Sequence, residues 1–373
     1  MKKILFLTGT RADFGKIKSL IQILESHQAF EVYVFVTGMH LQREYGYTLI
    51  EIERCGFKNV HTFENHTHET TMDLTLAKTI EGLSRYVKEV NPDMMVVHGD
   101  RVETLAGAIV GSLNNILVAH IEGGELSGTV DELIRHSVSK LSHIHFVSNG
   151  DAKKRLSQMG EIKSSIYTIG SPDIDIMFSN DLPNLEVAKK YYEIPFDAYA
   201  IVMFHPVTTE AAAMKKQATD FVETLLNDTH NYIVIYPNND LGSQSIINAY
   251  KSFKDNKRFR IFPSIRLEYF LTLLKNAQFI IGNSSVGIRE APYYGIPIIN
   301  IGTRQQNRAI HADIINVDYD MKSISAALKN IVRHQVNKTK TDFGEGNSAK
   351  LFLEAMLNQD IWEINHQKQF REL

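Results

Sequence analysis

Short, unbroken apolar runs separated by longer amphipathic segments constrain the fold of this 373-residue chain more than any other feature. The runs cover residues 4–8, 32–37, 94–98, 116–121, 144–147 and 166–169, and then 200–204, 232–236, 259–262, 279–281 and 298–301. Continuous apolar runs are typical of strands that are buried on both faces of a parallel sheet. The alternation of such strands with helical segments predicts an α/β protein with doubly wound sheets.

The segment between the second and third runs has a helical pattern over residues 71–90. Its small and apolar residues recur at i, i+3 and i+4 spacing, namely Leu74, Ala77, Ile80, Leu83, Ser84 and Val87. This spacing predicts an amphipathic helix with these residues on its buried face.

The length and a cluster of turn-forming residues predict two domains. At about 150 residues per domain, the chain is long enough for two, and turn formers concentrate at residues 170–184 before strand and helix patterns restart at residue 200. We therefore expect a Rossmann-like domain over 1–172 and a second over 173–350. The last segment, helical in pattern from Ser348 on, is expected to form a C-terminal helix over 351–373 that packs back on the first domain.

Composition narrows the partners and the compartment. A net charge of −3 provides no field for nucleic acid or an anionic membrane. The single cysteine, Cys55, excludes an intrachain disulfide and a multi-thiolate zinc site, and it suits a reducing cytoplasm. The apolar run after Lys3 is shorter than the roughly 7–15 residues of a signal peptide core, and no run approaches the roughly 18 residues that indicate a membrane span. The chain is therefore expected to be soluble and cytoplasmic.

Ligands bind outside the carboxyl ends of the strands in such sheets, so the residues after each strand matter most. Arg11 lies in the loop after the first strand, at the start of a helix, where it is either a phosphate contact or an ion-pair partner. That loop lacks the three spaced glycines of a dinucleotide site, and the second strand ends at Thr37 and Gly38 without a carboxylate. Both features argue against an NAD site.

Three carboxylates follow the next strands of the first half. Asp100 and Glu122 stand at the ends of successive strands, and Asp131 and Arg135 share one face of the next helix. Each has a structural explanation as a helix cap or ion pair, including a capping box of Thr129 and Glu132. Together they favour acid–base chemistry.

Metal binding is not expected. His120 and Glu122 have the His-x-Glu spacing of zinc deaminases, but no Cys-x-x-Cys follows. Ordinary strand and loop positions explain the remaining candidates, His61, His66, His68, His143 and His145, better than a metal does.

The second half carries an anion-binding pattern. His205 stands at the tip of its first strand, and Ser284 and Ser285 lie at a strand-to-helix junction where amides and hydroxyls are available to an anion. Ser284 is also a plain N-cap candidate. Glu290, one to two turns into that helix, is placed to accept both hydroxyls of a ribose or else is a solvated side chain. Arg304 follows the next strand.

In this order, the motifs resemble those of the UDP-N-acetylglucosamine 2-epimerase family along nearly the whole chain. They are the Arg11 loop, His-Gly-Asp-Arg (98–101), His-Ile-Glu-Gly-Gly-Glu-Leu-Ser-Gly-Thr-Val-Asp (120–131), Arg-His (135–136), His-Pro-Val-Thr-Thr-Glu (205–210), Gly-Asn-Ser-Ser (282–285) and Gly-Thr-Arg-Gln (302–305). The resemblance implies a glycosyltransferase-B-like fold with the nucleotide sugar in an interdomain cleft, a homodimer or higher homo-oligomer, and no metal or cofactor. It implies catalytic roles for Asp100, Glu122, Asp131, Arg135 and His205, and UDP contacts from Arg11, His205, Ser284, Ser285, Glu290 and Arg304.

The chain is most similar to the hydrolysing branch of that family, which makes N-acetylmannosamine for sialic acid synthesis. Glu122 is followed by two glycines rather than by the Ala-Gly of the non-hydrolysing branch. The resemblance thus implies that UDP-N-acetylglucosamine and water become UDP and N-acetylmannosamine. Because the C2 hydrogen is barely acidic until the C1–O bond breaks, we expect the reaction to pass through a 2-acetamidoglucal. Alternatives are a hydrolysing enzyme for UDP-diacetylbacillosamine or GDP-N-acetylglucosamine, a non-hydrolysing epimerase, a glycosyltransferase of this fold and a silent binding module.

Overall fold

The computed structural model describes residues 1–66, 71–127, 130–179, 182–305, 314–331 and 343–372. Contacts divide the chain into a first unit, Met1–Glu125, Asp131–Ser179 and Asp342–Leu373, and a second unit, Leu126–Val130 and Asn180–Thr341. The predicted boundaries differ from these bounds in three places: residues 173–179 and 343–350 belong to the first unit, and Leu126–Val130, predicted within the first domain, belong to the second.

A parallel sheet of seven strands forms the centre of the first unit. Its strands are β1 (Lys2–Thr8), β2 (Phe30–Val36), β3 (Val60–Thr62), β4 (Met94–His98), β5 (Leu117–Ile121), β6 (Ile144–Val147) and β7 (Ile166–Thr168), in the order β3-β2-β1-β4-β5-β6-β7. All six strands predicted for this half are present. The sequence did not predict β3, a three-residue edge strand whose side chains are half-buried or exposed.

Seven α-helices are described between residues 1 and 179: α1 (Arg11–Glu25), α2 (Leu49–Glu53), α3 (Met72–Val90), α4 (Val102–Leu113), α5 (Val130–Leu141), α6 (Gly150–Gln158) and α7 (Pro172–Met177). The predicted helix over residues 71–90 is confirmed, but its predicted buried face is wrong in the first turns. Leu74 and Ala77 are exposed, and burial begins only at Thr79 and Gly82. Gly82 lies against the Phe63 ring, so α3 makes its close contact there.

The second unit repeats the architecture with a six-stranded parallel sheet. Its strands are β8 (Ala200–Met203), β9 (Tyr232–Ile235), β10 (Phe259–Phe262), β11 (Ile280–Gly282), β12 (Ile298–Ile301) and β13 (Ile314–Val317), in the order β10-β9-β8-β11-β12-β13. Its helices are α8 (Leu185–Tyr191), α9 (Met214–Leu226), α10 (Ser243–Tyr250), α11 (Leu267–Lys275), α12 (Val286–Arg289), α13 (Ala291–Tyr294) and α14 (Met321–Ile331). Five of its strands were predicted, and β13 was not.

The C-terminal helix α15 (Ser348–Leu357) belongs to the core of the first unit. Phe352 is fully buried, with its ring centroid 4.7 Å from that of Phe146 and 6.4 Å from that of Phe6. The carboxylate of Asp175, on α7, accepts hydrogen bonds from the Ser348 and Ala349 amides at the start of α15. The prediction of a helix over 351–373 is wrong: α15 ends at Leu357, and among the residues described after it, up to 372, only a 3₁₀ turn, Gln359–Trp362, is present. Within the described residues, no helix is both long and apolar enough to span a bilayer.

We expect Phe352→Ala to lower the free energy of unfolding of the first unit by about 3–5 kcal/mol, because the change leaves a cavity between two buried rings. Urea unfolding followed by near-UV circular dichroism measures the loss. Leu357→Ala, at the half-exposed end of the same helix, is the matched control and should stay within about 0.5 kcal/mol of the parent. Equal effects of the two substitutions would contradict the placement of α15 in the core.

Candidate active site

Asp100 and Glu122 lie at the carboxyl ends of the adjacent parallel strands β4 and β5. The turn after β4 has Gly99 in the left-handed region at φ +80°, and Glu122 itself has φ +68°. The second value is unusual for a residue with a side chain and is a conformation that the surrounding contacts must hold. The Glu122 amide donates to the Phe146 carbonyl at 3.0 Å, which fixes it to the end of β6.

The Arg135 guanidinium joins the residues at these two strand ends. It is 2% exposed and lies on α5. One terminal nitrogen, Nη2, hydrogen-bonds the Asp100 carboxylate. The other, Nη1, donates to the Glu122 carbonyl at 2.8 Å and lies 3.8 Å from a carboxylate oxygen of both Glu122 and Glu125. We call Asp100, Glu122, Glu125 and Arg135 the carboxylate cluster.

Asp131 occupies the first turn of α5, one turn before Arg135, and is half-buried. The predicted capping residue of this helix, Thr129, lies outside the described residues. The Arg135 guanidinium reaches the strand ends and pairs with Asp100, and a part in catalysis stays a prediction.

Lys16 is a member of this site that the sequence did not single out. Its ammonium nitrogen lies 2.8 Å from Glu122 Oε1 and 3.7 Å from a carboxylate oxygen of Asp173, on α7. His98 Nε2 lies 3.7 Å from the same Glu122 oxygen. The available signal was weak: Lys16 is on α1, the helix that follows β1, and β1 is next to β4 in the sheet.

Both ring nitrogens of His120 have hydrogen-bond partners within the first unit. Its ring is fully buried, with Nε2 2.8 Å from the Gly99 carbonyl and Nδ1 3.0 Å from the Ser139 hydroxyl. Since a carbonyl only accepts, Nε2 carries the proton. Burial without a charged partner lowers the pKa of His120 to about 3. Among the described residues, no group of three or more His, Cys, Asp or Glu side chains is placed to hold a metal ion.

The other histidines considered as metal ligands have different neighbours. His145 Nε2 pairs with the Glu161 carboxylate at 2.9 Å, and His143 Nδ1 accepts from the Val118 amide. The His61 ring stacks on Tyr86 at 4.2 Å, and His66 Nε2 lies 3.1 Å from the Gly38 carbonyl. His68 lies outside the described residues.

Arg11 begins α1, and its guanidinium donates to Glu51 Oε1 at 3.2 Å. Both side chains are largely buried. The ion-pair interpretation of Arg11 is therefore present in the structure, and a phosphate contact stays a prediction.

In the second unit, the side chain of Asn283 connects the ends of β8 and β11. Its Oδ1 accepts from the His205 amide at 2.7 Å, and its Nδ2 donates to the His205 carbonyl at 2.9 Å. The Asn283 carbonyl accepts from Gln305 Nε2 at 2.8 Å and from Arg304 Nη1 at 3.3 Å. These contacts join three strand ends, and we call the group the Asn283 junction: His205, Asn283, Arg304 and Gln305. Asn283 itself was not among the predicted site residues.

Two further contacts fix this region: the backbone at Gly282 lies close to Met203, and the His205 imidazole accepts a hydrogen bond. Gly282 has φ +138°, and a Cβ there would lie 2.0 Å from the Met203 carbonyl oxygen, so only glycine fits. The Asn238 amide donates to His205 Nδ1 at 3.1 Å. In the neutral ring the proton is then on Nε2, which makes that nitrogen a hydrogen-bond donor.

The segment after β11 differs from the expected helix. It forms two four-residue helices, α12 and α13, with Glu290 at their junction and Pro292 in the first turn of α13. Glu290 is therefore not one to two turns into a single helix, because the proline ends α12. Ser285, not Ser284, is the N-cap of α12, and the Ser284 hydroxyl accepts a 3.4 Å bond from the Val286 amide. A helix this short has little dipole, so an anion here would depend on hydroxyls and on the Asn283 junction.

Two parallel-sheet α/β units with polar residues at the strand ends define a glycosyltransferase-B-like fold. A solved structure described as Methanocaldococcus jannaschii UDP-GlcNAc 2-epimerase in complex with UDP-GlcNAc and UDP has this fold. It aligns with a TM-score of 0.80 at 23% identity, over 95% of this chain and 99% of its own. The chain belongs to the UDP-N-acetylglucosamine 2-epimerase family, whose model matches residues 22–357. The resemblance inferred from the motifs is thereby confirmed.

Two relatives in this family align along almost the entire chain. A Neisseria meningitidis protein named UDP-N-acetylglucosamine 2-epimerase is 48% identical over the full length of both chains. A Legionella pneumophila protein named UDP-N,N'-diacetylbacillosamine 2-epimerase (hydrolyzing) is 32% identical over 94% of both chains.

We expect His120→Asn to lower the free energy of unfolding, and we expect this loss to become smaller as the pH falls. The lowered pKa means that the unfolded chain takes up this proton below about pH 6.5 whereas the folded chain resists it, so His120 penalises the fold in acid. Between pH 6.5 and pH 5 the difference in unfolding free energy between parent and variant should narrow by about 2 kcal/mol. Urea unfolding at the two pH values measures it. A difference that does not change with pH would contradict a neutral buried imidazole.

Proposed function

We propose that this chain is a hydrolysing 2-epimerase that converts UDP-N-acetylglucosamine and water to UDP and N-acetylmannosamine. The observation that carries the proposal is the carboxylate cluster, in which Arg135 holds Asp100 and Glu122 at the ends of adjacent strands. The 48% identical Neisseria relative has the name of a UDP-N-acetylglucosamine 2-epimerase. The Legionella relative supports the hydrolysing chemistry, since its name includes that word.

The reaction needs a way to remove a weakly acidic hydrogen. No carbonyl adjoins C2 of the sugar, so direct deprotonation there is unfavourable. If the C1–O bond to UDP breaks first, its electron pair leaves with UDP, and the oxocarbenium character at C1 acidifies the C2 hydrogen. A carboxylate takes that proton, and the C2–H electrons form the C1–C2 double bond of 2-acetamidoglucal. Protonation of C2 from the opposite face and addition of water at C1 then give N-acetylmannosamine.

The proposed roles in the first unit follow from charge and placement. Asp100, Glu122 and Asp131 share the tasks of removing the C2 proton, delivering a proton to the opposite face and activating water. Arg135 keeps Asp100 and Glu122 at a fixed separation, which matters because proton transfer needs hydrogen-bond distances. We propose that Arg11 contributes a phosphate contact.

The proposed roles in the second unit concern UDP. His205 Nε2, the Ser284 and Ser285 hydroxyls and Arg304 stabilise the diphosphate as it leaves, which is the electrostatic contribution expected to be largest. Glu290 accepts hydrogen bonds from the ribose. Neither metal nor cofactor is required by this chemistry.

The hydrolysing assignment also rests on the sequence after Glu122, where Gly123 and Gly124 replace the Ala-Gly of the other branch. A second candidate is hydrolysis of a UDP-diacetamido sugar, which the Legionella relative favours. We further propose that the enzyme works in the cytoplasm as a homo-oligomer and catalyses the first step of sialic acid synthesis.

Proton and carbon NMR of the reaction with UDP-N-acetylglucosamine in deuterium oxide tests this function. We expect UDP and free N-acetylmannosamine with one deuterium at C2, because the proton returned to C2 comes from solvent. UDP-N-acetylmannosamine as the product would indicate the non-hydrolysing reaction instead. A product with hydrogen at C2 would contradict elimination, and conversion of only the diacetamido substrate would favour the second candidate.

A further inference from the structure

The ammonium group of Lys16 lies between two carboxylates of the first unit. It is 2.8 Å from Glu122 Oε1 and 3.7 Å from Asp173 Oδ2. The side chains are 15% exposed for Lys16, 7% for Glu122 and 1% for Asp173. Attraction between charges that are this far removed from water is screened much less than at a surface.

Glu122 is held by two cations on different oxygens. Lys16 contacts Oε1, and Arg135 Nη1 lies 3.8 Å from Oε2 while it also binds the Glu122 carbonyl. A carboxylate with a cation at each oxygen cannot rotate freely about its last bond. The left-handed backbone conformation at Glu122 also fixes the direction in which its side chain leaves the main chain.

Asp173 gives Lys16 a second anchor on another element. It stands in the first turn of α7, directly after Pro172. The helix α7 packs against α1, which carries Lys16, and against α15. The position of the Lys16 ammonium is therefore set by packing within the first unit.

We propose that Lys16 is a positioning residue for the reaction, which holds the Glu122 carboxylate in place through an ion pair anchored by Asp173. This inference rests on the proposed function, because it concerns the geometry of a group that we assign to proton transfer. A displacement of about 1 Å at such a group costs on the order of 100-fold in rate. Lys16 itself need not touch the sugar.

The test compares Lys16→Met, Lys16→Arg and Lys18→Met with the parent enzyme. We expect Lys16→Met to lower kcat for UDP-N-acetylglucosamine about 10- to 100-fold and to leave KM unchanged, since UDP contacts are intact. Lys16→Arg keeps the charge and should recover at least part of kcat. Lys18 is two residues further along α1, on a different face, and Lys18→Met should match the parent. Parent-like kcat in Lys16→Met, or a raised KM with unchanged kcat, would overturn the proposal.

A measurement without substrate separates this proposal from the proposed function. Urea midpoints of Lys16→Met, Glu122→Gln and the double variant form a cycle that reports the ion pair itself. We expect the double variant to lose less than the sum of the single losses. Strictly additive losses would overturn the pairing whatever the activity. If the losses in the variants are non-additive but the parent enzyme does not turn over UDP-N-acetylglucosamine, the ion pair is supported and the proposed function is refuted.

Discussion

The buried guanidinium of Arg135 is the constraint on which the first unit's site depends. A charge with 2% exposure is stable only because carboxylates and a carbonyl surround it. Its two terminal nitrogens point in fixed directions, so Asp100 and Glu122 have fixed positions relative to each other. Loss of the guanidinium would leave buried anions without compensation, so stability and site geometry depend on the same contact.

In the second unit, the neutral side chain of Asn283 aligns the strand ends. Asn283 uses both ends of its amide to bind the backbone of His205, and its own carbonyl receives Gln305 and Arg304. Each hydrogen bond links the ends of different strands, so one side chain aligns three loops. Gly282 makes this possible, since its backbone passes the Met203 carbonyl too closely for any Cβ.

The sequence was informative wherever burial dictates pattern. Continuous apolar runs predicted most strands of both sheets, and the rule for strand ends predicted that Asp100 and Glu122 lie at the same edge of the first sheet. The edge strand β3 was missed because Val60, His61 and Thr62 do not form such a run. Strand β13, Ile-Ile-Asn-Val, has the same pattern as the predicted strand β12, so its signal was present in the sequence and was not used. Lys16 and Asn283 were missed for another reason: their roles come from tertiary contacts with distant residues, which leave no local spacing. Pro292 was a signal in the sequence that the segment after β11 forms two short helices with Glu290 between them. The prediction of a single helix did not use this signal.

Proton transfer at the sugar and the binding of UDP are assigned to different residues. The most direct test is the turnover of Asp100→Asn together with its affinity for UDP by calorimetry, with Glu132→Gln as the control on the first turn of α5. We expect Asp100→Asn to lose about 100-fold or more of turnover and to bind UDP like the parent, while the control is unaffected. Parent-like turnover in Asp100→Asn, or a loss of activity explained entirely by a loss of UDP binding, would contradict this assignment.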